Sequence, residues 1–137
     1  MTQEEKQLLL KDLCARLPYG VRINHIIYGW EGNAVNFNKK LESFAIEKDN
    51  GLSYDVPVEE VRPYLRPMSS MTDEEVKEFY DVECMDAEVG YIKPTWNWHF
   101  TINGIDWLNE HHFDYRGLIN KRLALEAPEG MYESKNN

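Results

Sequence analysis

SFAIEKDNGLSYDV, residues Ser43 to Val56, decides the fold class. Two runs of strand character, Ser43 to Lys48 and Leu52 to Val56, flank Asp49-Asn50-Gly51. Asn-Gly between such runs signals a hairpin, because a type I′ turn needs positive φ at both central residues. Moving outward toward the N-terminus, Ala34 to Asn38 reads as a further strand, and Gly29 to Asn33 as a loop carrying Trp30. Val21 to Tyr28 alternates, with Val21, Ile23 and Ile27 on one side and Arg22 and Asn24 on the other, which predicts another strand. His25 falls on its apolar side and reads as a hydrogen-bonded, partly buried ring. The centre of the chain is therefore an antiparallel meander of three or four strands within a sheet of four to five, a size that permits a small SH3-like barrel.

Before the meander, Thr2 and Glu5 form a capping box, and Leu9, Leu10, Leu13, Cys14 and Leu17 repeat at helical spacing. The pattern predicts a helix over Gln3 to Arg16, stopped by Pro18 and Gly20, with Cys14 a small core residue. After the meander, Val58 to Val61 suits one helical turn. Pro63 and Pro67 then predict an extended strap across the sheet, since proline lacks a ladder donor. Thr72 and Glu75 form a second capping box, with Val76, Phe79 and Tyr80 as the buried face of the next helix.

Beyond Pro94, Trp96, Trp98, Phe100 and Ile102 alternate with Asn97, His99, Thr101 and Asn103, which predicts an aromatic strand. Asn103 suits an N-cap, and Ile105, Leu108 and His112 share a helical face behind it. Asp114 suits the cap of a second helix reaching Arg122, which makes a C-terminal helical corner. The tail Glu129 to Asn137 reads as frayed. The whole, residues 1–137, is expected to be one α+β domain.

Composition narrows function. The formal net charge is −9 and uneven. Residues 1–70 carry 9 basic and 10 acidic side chains, net −1; residues 71–137 carry 6 and 14, net −8. Residues 73–88 alone hold eight acids and one base, Lys77. Such a field repels nucleic acid, and the only basic clusters, Lys39-Lys40 and Lys121-Arg122, are pairs. The acidic start lacks the basic region of a signal peptide, and no apolar run reaches membrane-spanning length. The expectation is a cytoplasmic protein with Cys14 and Cys84 as thiols, no direct nucleic-acid contact, no membrane and no cofactor.

Four residues invite a metal reading: His99, His111, His112 and Asp114, since imidazole and carboxylate both suit zinc or iron. Neighbouring histidines on a helix point about 100° apart, which opposes convergence. A calcium loop starting at Asp81 would need Gly where Asp86 stands. No H-E-x-x-H, G-x-S-x-G or phosphate-cradling glycine loop occurs.

The segments LKDLCARLPYGV (from Leu10), RPYLRPMSSMT (from Arg62) and WLNEHHFDYRGLI (from Trp107), the last followed by LALEAPEGMY, resemble a family of short proteins from gut bacteria and their prophages. The resemblance implies an accessory protein of a phage or mobile element, and no activity, ligand or catalytic residue. Three function classes follow. The leading one is a non-enzymatic interaction module that meets a basic protein partner through acids such as Asp81, Glu83, Asp86 and Glu88, with Trp30 as a second contact. The others are an assembly protein that forms homo-oligomers through the aromatic strand, and a metal-dependent hydrolase built on the histidines.

Overall fold

Both capping boxes form. In the computed structural model, which describes residues 1–85, 90–95 and 98–132, the Thr2 hydroxyl accepts from the Glu5 amide while the Glu5 carboxylate accepts from the Thr2 amide. They start α1, Gln3–Arg16. Thr72 and Glu75 do the same for α2, Asp73–Glu83. The third helix, α3, Ile102–Glu110, is capped two residues earlier than Asn103 would place it: the Thr101 hydroxyl accepts from the Gly104 amide.

The strands are β1 Arg22–His25, β2 Glu31–Asn38, β3 Ser43–Lys48, β4 Ser53–Pro57, β5 Val61–Leu65 and β6 Leu125–Glu126. They form one sheet in the order β4-β3-β2-β1-β5-β6. All neighbours are antiparallel except β5 and β6, which run parallel. A hairpin joins β3 to β4 where the sequence predicts one, but only Gly51 has positive φ (86°) and its amide donates to the Lys48 carbonyl, so the connection is not the expected type I′ turn. A 3₁₀ turn at Val58–Glu60 carries the chain from β4 into β5, which pairs with β1. The barrel does not close: the sheet stays open between β4 and β6.

Three expectations change. The proline-bearing strap is a strand, β5, inserted between β1 and β6. Ile26 N donates to Glu60 O, so even-numbered residues of this stretch face β1 and Pro63 turns its ring nitrogen outward. The pairing with β6 begins only at Tyr64, so no ladder bond is lost. The aromatic strand is absent among the described residues. Trp98 to Thr101 have no strand pairing, Ile102 is helical, and Trp96 and Asn97 lie outside the described residues. The second helix of the corner is a run of turns. Asp114 does accept from the Leu118 and Ile119 amides, but Gly117 (φ 73°) and Arg122 (φ 62°) leave the helical region.

One face of the sheet packs against α1 through Leu9, Leu13, Val21, Ile23, Phe44, Ile46 and Val61. A second apolar cluster joins α2 to α3 through Val76, Phe79, Trp107, Leu108 and Phe113. The buried side of α1 is Leu9, Asp12, Leu13 and Arg16; Cys14 is exposed. Asp12 and Arg16, both fully buried, pair at 2.9 Å; Arg116 adds a bond to Asp12 and Arg16 donates to the Phe113 carbonyl. That bonding is what makes a buried charged pair tolerable. No helix of the described residues is long and apolar enough to cross a membrane.

Candidate functional site

Alongside α2 runs a cleft of about 1020 Å³. One wall is α2, presenting Glu74, Glu75 and Glu78. The end of α3 adds Glu110 and His111, and the C-terminal segment closes the far side with Glu126, Glu129 and Tyr132. Arg66, the one arginine among the described residues that line it, is already engaged. Its guanidinium makes a two-bond fork to Glu75 (2.9 and 2.7 Å) and lies 4.1 Å from the Phe113 ring centre. Burial raises the Glu75 carboxyl, but the Arg66 bonds and the Thr72 amide outweigh it and hold its pKa below the usual range. Among the described residues Glu74, Glu110, Glu126 and Glu129 have no Lys or Arg within ion-pair distance. The cleft is a concave surface of uncompensated negative charge, and low-dielectric walls concentrate such a field.

The far wall is held by one hydroxyl. Tyr132 Oη accepts from the Arg22 amide (2.9 Å) and donates to the Tyr64 carbonyl (2.7 Å). It thus takes the place of the next rung between β1 and β5, and its ring stacks on His112 at 3.9 Å. Burial raises its pKa. The segment from Glu129 to Tyr132, expected to fray, is tied to the sheet; residues 133–137 lie outside the described residues.

The four metal candidates do not converge. His112 is buried with Nε2 on the Tyr19 carbonyl, and both Asp114 oxygens cap backbone amides. His111 points to the cleft, and His99 is exposed in the segment before α3. Among the described residues no three His, Cys, Asp or Glu side chains are grouped to hold an ion. Burial, then the nearby Arg16 charge, lowers the His112 pKa to about 4, while burial raises that of Asp114. His25 is buried and bonded on both sides, accepting from the Tyr28 amide and facing Glu60 at 3.0 Å.

The proposed partner contacts divide. Asp81 is exposed on α2. Glu83 has a structural role: its carboxylate accepts from the Thr101 amide and hydroxyl and so ties α2 to the start of α3. A Cβ at Gly104 would overlap that carboxylate, which explains the glycine. Asp86 and Glu88 lie outside the described residues. Trp30 is half-buried rather than an exposed loop ring. It stacks on His25 at 4.9 Å, with the Lys48 ammonium 5.1 Å from its centre. The exposed large apolar residues of that loop are Ile26, Ile27 and Tyr28. Sequence reasoning did not single out Glu110, Glu126 and Glu129. The net −8 of the second half was their only trace, because two separate segments bring them together beside α2.

Comparison with family models, with curated proteins and with solved structures gave no match. The class is therefore defined by the molecule itself: a small α+β domain with an open six-stranded mixed sheet and an acidic cleft beside it.

Proposed function

We propose that this chain is a binding module whose acidic cleft receives a basic segment of a partner protein. The observation that carries the reading is the concave wall of Glu74, Glu78, Glu110, Glu126 and Glu129, faced by one arginine that Glu75 already neutralises. A Lys- or Arg-rich segment would supply the missing cations, and complementary charge sets both encounter rate and register. A cleft of this volume accommodates several side chains of an extended peptide. The resemblance to proteins of gut bacteria and their prophages supports an accessory role encoded by a mobile element. The assembly reading loses support because the described part of the aromatic segment offers no strand edge.

The test is a fluorescence-anisotropy titration with a labelled peptide alternating Gly with Arg and Lys, at about 50 mM salt. Wild type is expected to bind. The triple variant Glu110→Gln, Glu126→Gln, Glu129→Gln should bind about tenfold more weakly while melting at an unchanged temperature. Equal affinity for the two proteins would remove the cleft from the binding event.

A further inference from the structure

A second groove, of about 340 Å³, lies between α1 and the end of β2. Leu10, Lys11 and Cys14 reach it from one outward stripe of α1, since residues three and four apart share a helical face. Phe37, Lys39 and Glu42 face them from β2 and the turn behind it. The floor is apolar and backed by the core. Leu10 and Phe37 pack on the first apolar cluster, and the Phe37 ring rests on the fully buried Phe44 at 4.8 Å. The charges around this floor reverse the sign of the molecule. Glu42, the one acid lining the groove among the described residues, is taken by Lys6 at 2.7 Å. Lys11 and Lys39 are exposed, and among the described residues no carboxylate lies within ion-pair distance of either. In a chain of net charge −9, two uncompensated ammoniums beside an apolar floor attract an anion where the rest of the surface repels it.

We propose that this groove binds a small amphiphilic anion, an aliphatic chain ending in a carboxylate, with the chain on Leu10 and Phe37 and the head met by Lys11 and Lys39. The site shares no lining residue with the acidic cleft and does not depend on it. Each half of the ligand answers one feature of the groove. The chain covers apolar surface that is otherwise wet, so affinity grows with chain length. A lysine ammonium is a point charge on a flexible stem, so it meets a carboxylate without the fixed fork an arginine would need. The volume stands near the lower end of ligand cavities, roughly 300 Å³ and upward, which suits one aliphatic chain rather than a two-chain lipid.

Cys14 supplies the readout, because it lines the groove and is exposed. Partial cover by its neighbours raises its thiol pKa, so alkylation by iodoacetamide is followed at about pH 8.5. Cys84, exposed at the end of α2 and not lining the groove, is the internal control. The full chain is alkylated with decanoate, hexanoate or decylamine present below micelle-forming concentrations, and each cysteine is followed by mass spectrometry. Decanoate should slow Cys14 and leave Cys84 unchanged, and hexanoate should protect more weakly. Decylamine has the same chain and the opposite head, and a protein this acidic would by default prefer it. Decanoate should nevertheless protect at about fivefold lower concentration. Lys11→Gln with Lys39→Gln, both exposed positions, should melt at an unchanged temperature and need about fivefold more decanoate. Decylamine protecting as well as decanoate overturns the proposal, since the groove would then read the chain alone. So does protection that survives the lysine pair, protection shared equally by Cys84, or no protection by decanoate at all.

Discussion

His112 shows how a single residue ties the C-terminal corner to the rest of the chain. It sits at φ 60°, a conformation side chains other than glycine and asparagine rarely take. Its buried ring is clamped between the Tyr19 carbonyl and the Tyr132 ring. Burial first, and the Arg16 charge second, bring its pKa from 6.5 to about 4, with the Tyr19 carbonyl acting the other way. The sign of the pH effect follows. As the pH falls, the unfolded chain takes up this proton before the folded chain does. The stability that comes from keeping the ring neutral is complete above about pH 6.5 and is lost progressively toward pH 4. The loss is on the order of 3 kcal/mol at most. His112→Asn suits the same backbone conformation and does not titrate, so its urea-unfolding free energy should fall less than that of wild type between pH 7 and 4.5. Parallel curves would mean that other groups set the acid sensitivity. Asp12 and Arg16 teach a different lesson at this scale. In sequence they look like solvated charges on a helix, yet both are fully buried because Arg116 and the Phe113 carbonyl add bonds to the pair, which leaves Arg16 Nη1 as the one buried nitrogen of the pair without a partner. Those partners lie about a hundred positions away, so no local pattern could announce them.

Elements were legible where their signals are local. The Asn50-Gly51 turn and the two capping boxes each act within four residues, and each appears where the sequence places it. Alternation from Trp96 to Ile102 is also local, but a strand needs a neighbour, and among the described residues of that stretch, Trp98 to Ile102, the sheet offers none. Phe100 instead packs edge-on against Phe79 and Tyr115, as part of the α2–α3 cluster. Pro63 misled in the opposite direction, because proline is excluded only where its nitrogen must donate. The two open edges of the sheet are treated differently. β4 exposes the outward backbone of Ser53, Asp55 and Pro57, and a charge and a proline discourage further pairing. At the other side β6 is only two residues long, and Tyr132 completes the β1–β5 ladder with a side chain. Tyr132→Phe keeps the stack on His112 and removes the hydroxyl. It leaves the Arg22 amide and Tyr64 carbonyl without that partner, which should cost about 1–2 kcal/mol. Urea unfolding measures the loss, and hydrogen exchange should show the Arg22 amide less protected. An unchanged Arg22 exchange rate would show that the hydroxyl does not bridge the strands.

At the scale of the whole molecule, the charge of −9 raises an alternative to any account that localises binding. A protein this acidic attracts a cationic peptide from every direction, and a loss of affinity on neutralising cleft acids could reflect net charge alone. Geometry separates the two. The Debye length is about 10 Å at 0.1 M salt, so an acid on the far side contributes little to a peptide seated in the cleft. Glu126→Gln with Glu129→Gln, and Glu4→Gln with Asp55→Asn, change the net charge equally. The first pair lines the cleft; the second is exposed at the start of α1 and on the β4 edge. The cleft pair should weaken binding of a Gly-Arg peptide about fivefold at 0.1 M salt, and the outer pair less than twofold. Raising the salt to about 0.5 M should shrink both effects, because exposed charges are then screened at shorter range. Equal losses from the two pairs would make the attraction a property of the overall field. Unequal losses in the stated order would make the acid asymmetry of the second half, already visible as −8 against −1 in the sequence, the outline of a binding site.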